Sequence, residues 1–182
     1  MSSKAYLNPK FLISSLKNAF THHNGEVREG ISFTDAKNIG ILVHNTEEAF
    51  CSTIEAFVKK LTDEGKKVSV ICYVDNGQRM PYKFKFESLY TRDIDWKGDF
   101  KSDAVNKFIK TEFDYLYSIN ILPILPFENI LLKSKAKFRI GPYLKSEKNL
   151  FELMISLRHG ENIDNLIANM LEFSKKIKGN AE

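Results

Sequence analysis

"NIGILVHNTEEAFCSTIEAFVKKLTDEGKKVSVICYV", Asn38 to Val74, decides the fold. Its first seven residues, Asn38 to His44, form an apolar run of strand length, the pattern of a strand buried on both faces. Asn45 is a natural N-cap, with Glu48 three residues on as its capping-box partner. Phe50, Ile54, Phe57, Val58 and Leu61 then make one helical stripe. Lys59 and Lys60 sit in the last turns, where they favour the dipole, and Gly65 suits the C′ position. Lys67 to Val74 is a second strand. Joints this short between strand, helix and strand predict a βαβ unit with parallel strands and a right-handed crossover.

The alternation continues downstream. Asp75-Asn76-Gly77 is a turn signal. Gln78 to Gly98 shows little pattern beyond Phe84 and Phe86 alternating with Lys83 and Lys85. Within it "ESLY" fits a short edge strand, and Trp96 is expected to pack against a neighbour that the sequence does not identify. Ser102 caps a short helix carrying Val105, Phe108 and Ile109. Phe113 to Asn120 is the next strand, and "PFENILLKS" a helix with Pro126 near its start. Ala136 to Gly141 is a fifth strand. Its alternation sets Ala136, Phe138 and Ile140 on one face, and Lys137 and Arg139 on the other, as basic side chains along an edge strand. Leu150 to Ser156 is the last strand. Asn162 caps a final helix with the stripe Ile163, Leu166, Ile167, Met170, Leu171 and Ile177.

Upstream, Leu12, Leu16 and Phe20 recur every fourth residue, so Asn8 to Phe20 reads as a helix. The expected architecture is a three-layer α/β/α sandwich with a mostly parallel Rossmann-like sheet and an added N-terminal helix. Residues 1–30 form the N-terminal helical extension and residues 31–182 the Rossmann-like α/β domain.

Bulk composition supports a folded domain. Hydrophobic residues are 43% and charged residues 27% of 182, with Phe (14) and Tyr (7) as core material. The net charge of +4 is spread along the chain, which falls short of the clustered charge of a specific nucleic-acid binder. Cys51 and Cys72 lie in apolar patterns and read as buried small hydrophobes, which fits a cytoplasmic setting better than a disulfide framework. No transmembrane run or convincing signal peptide is present.

In an open parallel sheet, ligands bind beyond the carboxyl ends of the strands. That rule selects His44, Asn45 and Thr46 after the first strand, Asp75 and Asn76 after the second, and Asn120 after the fourth. It also selects Gly141, Pro142 and Tyr143 after the fifth, and Arg158 and His159 after the last. The expected ligand-binding set is His44, Asn45, Thr46, Asp75, Asn120, Gly141 and Tyr143, with Tyr143 suited to a ligand as an aromatic with a polar tip. Each has a plainer reading. "VHNTEE" lacks the glycine that lets backbone approach a pyrophosphate, so ordinary capping is preferred. Asp75 begins a D-N-G turn, and no G-x-G-x-x-G accompanies it. Asp93 and Asp95 belong to a charged, solvated loop.

Neither H-E-x-x-H, G-x-S-x-G nor a Walker A motif occurs. None of His22, His23, His44 and His159 has a partner at metal-ligand spacing. No cofactor and no metal are therefore expected.

"FDYLYSIN", a helix and then "SKAKFRIG" are similar to the second half of the N-terminal Rossmann-like domain of heptosyltransferase-type glycosyltransferases, in which a strand with a leading Asp precedes a "GA-x-x-R-I-G" strand. Those enzymes carry a Gly-Asp pair after the first strand, where this chain has His44-Asn45-Thr46. They also need a second domain for the sugar nucleotide, so the resemblance implies fold and not activity. The whole chain resembles a short uncharacterised bacterial family with the same order: a basic N-terminal helix, "IGIL", "G-K-K-V", "FD", "KAKFRIG", and a final "LM" strand plus helix. That resemblance implies no catalytic residues.

The leading expectation is a protein that binds a small molecule or a protein partner at the carboxyl edge of its sheet. One alternative is a minimal nucleotide or sugar-phosphate transferase. The other is an interaction protein that docks to a membrane surface, a partner or a second copy through Lys4, Lys10, Lys17, Phe11, Leu12 and Leu16 of the N-terminal helix.

Overall fold

The computed structural model describes residues 31–44, 48–75, 85–144 and 150–177. Six strands form one sheet: β1 (Asn38–His44), β2 (Lys67–Val74), β3 (Glu87–Tyr90), β4 (Tyr115–Ile119), β5 (Arg139–Pro142) and β6 (Leu153–Ile155). Their order is β3-β2-β1-β4-β5-β6, and every pairing is parallel. Four helices cover the sheet: α1 (Glu48–Asp63), α2 (Asp103–Lys110), α3 (Leu125–Lys133) and α4 (Ile163–Lys176). This is an α/β Rossmann-like fold. The expected N-terminal helix, the Asn45 cap and the Asn76-Gly77 turn lie outside the described residues.

Two apolar layers sandwich the sheet. On one face Ile39, Ile41 and Val43 of β1 meet Phe50, Ile54, Phe57 and Leu61 of α1, and Leu166, Ile167, Met170 and Leu171 of α4. On the other face Leu42, Ile71 and Leu116 meet Val105, Phe108 and Ile109 of α2, and Phe127, Ile130 and Leu131 of α3. The uninterrupted apolar run of β1 thus serves both layers, which is why it lacks alternation. Gly65 adopts φ +78°. Its amide bonds to Thr62 O at 2.9 Å and that of Lys66 to Leu61 O at 3.0 Å, so the chain leaves α1 through a glycine-dependent turn.

Tyr115 and Tyr117 stack at 6.2 Å on the α1/α4 face. The Tyr117 hydroxyl donates to Ser174 Oγ of α4 at 2.8 Å, and that of Tyr115 to Ile31 O at 2.6 Å. Burial, with the Asp114 carboxylate next to it, pushes the Tyr115 hydroxyl up to about 12. Burial also raises that of Tyr117, against the opposing bond to Ser174. Each ring therefore joins an apolar layer while its neutral hydroxyl ties down a separate segment.

Trp96 is 63% exposed, with the Lys97 ammonium 5.2 Å from its ring centroid. Two sequence expectations are corrected. The fifth strand begins at Arg139, so alternation does not reach back to Ala136. That residue packs in the α2/α3 layer, whereas Phe138 and Ile140 face the other side. Nor is β5 an edge strand, because β6 pairs outside it. Arg139 consequently does not snorkel. Its side chain is 10% exposed and faces Glu152 at 19%, with Nη2 to Oε1 at 2.7 Å and Nη1 donating to Leu131 O at 3.1 Å.

Gly141 lies beneath the Phe151 ring. A β-carbon there would meet ring atoms at 2.2–2.5 Å. Gly141→Ala should therefore lower stability by about 1–3 kcal/mol, the usual range for overpacking. Urea unfolding checks this, and a loss below the error of the fit would mean that Phe151 moves aside freely.

Candidate functional site

The strand order reverses between β1 and β4, because the chain leaves β1 toward β2 on one side and β4 toward β5 on the other. At this switch point the strand ends diverge and leave a crevice. A cleft of about 540 Å³ occupies that position. His44 and Asn120, which end or follow the two strands, form part of its floor. Phe50 and Thr53 of α1 supply one wall, and the start of α4 with Glu161 supplies another. Ile121 and Leu122 lie at its rim.

The cap of α4 is complete in itself. Asn162 Oδ1 accepts from the amides of Asp164 at 3.0 Å and Asn165 at 3.2 Å, and Asn165 Oδ1 accepts from the amide of Asn162 at 3.0 Å. The cap predicted at Asn162 is thus present, and it occupies two of the donors that a helix start would offer an anion.

His44 Nε2 lies 2.8 Å from Asp75 Oδ2, and its ring is 5.7 Å from that of Tyr73. The parallel register sets His44 opposite Tyr73, which brings Asp75 beside the imidazole. The carboxylate accepts from Nε2–H and so fixes the orientation of the ring. Tyr73 in turn shares a 3.0 Å hydrogen bond with Thr91. Burial raises its hydroxyl, and the Asp75 charge adds to this against the Thr91 bond.

The other sequence-selected residues divide. Asn120 is buried, and its amide is used locally: Oδ1 accepts from Ser118 Oγ at 2.7 Å and Nδ2 donates to Leu122 O. It shapes the turn that carries Ile121 and Leu122 to the cleft. Gly141 gives its open face to Phe151. Tyr143 is 58% exposed, is anchored by its amide to Ile155 O at 2.7 Å, and is not among the residues lining the cleft. Asn45 and Thr46 lie outside the described residues. A second, much smaller pocket of about 30 Å³ lies across Asn120, between Phe127, Leu131 and Phe151. It has room for about one water.

Sequence reasoning missed the contribution of α4. Nothing local to Glu161 or Asp164 signals that β6 returns the chain to the switch point, because that depends on the sheet order. It also missed Lys66, 7% exposed, whose ammonium donates to Phe33 O at 2.7 Å and Ala36 O at 2.8 Å. That lysine closes the turn before β1, at the opposite end of the sheet from the cleft.

Among the described residues, no helix is long and apolar enough to cross a membrane. No curated protein and no solved structure matches the chain, so the likeness to heptosyltransferase-type enzymes gains no support from them. A family of unknown function, DUF6913, matches residues 4–177, nearly the whole length, and the chain belongs to that family.

Proposed function

We propose that this protein binds a small ligand in the cleft between the ends of β1 and β4. The observation that carries this reading is the position and size of the cleft. Its roughly 540 Å³ at the switch point falls within the range of about 300–1,000 Å³ usual for small-molecule sites. Its lining is mixed in the manner of such sites: Phe50, Ile121, Leu122 and Ile163 are apolar, while Thr53 and Glu161 are polar. The His44–Asp75 pair gives the floor a fixed imidazole.

The test is a fragment screen by two-dimensional amide NMR on wild type and Thr53→Trp. Thr53 is half-buried on the α1 wall, so an indole there fills space without touching the core. Hits should shift amides of Thr53, Leu122 and Ile163 in wild type and bind at least about tenfold more weakly to the variant, a difference of about 1.4 kcal/mol. Fragments that bind both proteins equally, or that map to other surfaces, would sink the reading.

A further inference from the structure

We infer that the ligand of this cleft is a cationic organic molecule, an amine with an apolar body, and not a phosphate. The inference rests on the ligand-binding reading above and adds the chemical class. The chain as a whole carries +4, yet the cleft has the opposite sign. Its described lining holds Glu161 and Asp164 and no lysine or arginine.

The usual means of holding a phosphate at a switch point are a helix start and a basic side chain. Here the α4 start turns the amides of Asp164 and Asn165 onto Asn162 Oδ1, and Asp164 adds a negative charge beside them. An anion entering the cleft would meet two carboxylates, a helix start with two of its first amides already used, and an imidazole already paired with Asp75. A cation would meet the same two carboxylates favourably. Glu161 uses Oε2 to accept the Arg158 amide at 2.8 Å and retains a second carboxylate oxygen. Phe50, Ile163 and the exposed Ile121 and Leu122 offer apolar cover to the rest of the molecule. A low-dielectric wall beside like charges concentrates their field in the cleft.

Three probes with one body and different heads separate the possibilities: 2-phenylethylammonium, 2-phenylethanol and 2-phenylethyl phosphate. Each is titrated by amide NMR into the full chain and into Glu161→Gln and Asp164→Asn. Both substitutions keep the shape of the side chain, and the carboxamide oxygen introduced by Glu161→Gln can still accept from the Arg158 amide. The ammonium should bind about three- to tenfold more tightly than the alcohol, a margin set by partly exposed charges. The phosphate should bind most weakly. Each variant should narrow the gap between ammonium and alcohol while leaving the alcohol unchanged.

Alcohol and ammonium binding equally would overturn the inference and leave the cleft reading standing, as would a phosphate that binds as well as the ammonium. An ammonium preference unchanged in both variants would also overturn it. If none of the three shifts amides lining the cleft, the inference and the ligand-binding reading fall together.

Discussion

Arg139→Met should lower stability by about 3–5 kcal/mol, the range seen when one partner of a buried ion pair is removed. Glu152 holds the guanidinium through Nη2 at 2.7 Å and Nε at 3.1 Å, and its Oε2 also accepts the Arg139 amide at 2.6 Å. The Glu152 amide returns a bond to Arg139 O at 2.9 Å. The pair therefore forms the start of the β5–β6 ladder, which continues for only three residue pairs. Deleting the guanidinium leaves a carboxylate with little access to water, and frees β6 from its best-held neighbour. The double variant Arg139→Met/Glu152→Leu should recover about 1–3 kcal/mol of the loss, because two apolar side chains no longer confine an unpaired charge. Urea unfolding of the singles and the double measures this coupling. Amide exchange at Leu153–Ile155 should accelerate in the Arg139→Met single. A single-variant loss under about 1 kcal/mol would show that water screens the pair as on an open surface.

Asp114 should govern the acid limb of the stability curve. Its side chain is 7% exposed. Oδ2 accepts the amides of Lys37 at 2.8 Å and Asn38 at 2.9 Å, and Oδ1 pairs with Lys137 Nζ at 2.8 Å. Burial alone would raise its pKa. The Lys137 bond and charge, with the two amides, outweigh that and hold the carboxyl below its ordinary value of 3.8. A folded-state pKa below the unfolded one stabilises the protein above the unfolded value, and the contribution is lost as pH falls through the folded value. Asp114→Asn should therefore lower stability by about 2–4 kcal/mol at pH 7, since hydrogen bonds to a charged group are worth about 1.5–3 kcal/mol each and an amide retains part of them. The gap from wild type should be the same at pH 7 and pH 5, and close only below about pH 4. Unfolding curves at about pH 7, 5 and 3 decide the matter: a gap undiminished at the lowest pH would mean that the charge of Asp114 is not what stabilises this end of the sheet.

Asp114 also shows how far a sequence resemblance carries. As the leading Asp of "FD" it fits the pattern of a Rossmann-like half-domain. In the structure it ties the beginnings of β1 and β4 together, at the end of the sheet away from the cleft. Its bonds to Lys37, Asn38 and Lys137 are those of a structural carboxylate at a strand start.

The elements themselves were legible from local order. Their apolar runs, stripes and caps depend on neighbours within a turn or a strand: Asn38–His44, the Phe50 to Leu61 stripe, the Ser102 and Asn162 caps. Such signals survive because a strand or helix must bury its own apolar side chains whatever lies across from them. Strand limits were less accurate near β5, where Lys137 belongs to a bond with Asp114 and not to the strand alternation.

The sequence by itself determined that strands and helices alternate, that β1 is buried on both faces, and which residues end the strands at the carboxyl edge. Only the tertiary structure decided which residues line the cleft at that edge. It put Glu161 and Asp164 in one cleft with His44, and it closed Arg139 against Glu152 at the start of the β5–β6 pairing. These pairings join residues far apart in the chain, and the energy that selects them lies in the packing of whole layers, which no local pattern encodes.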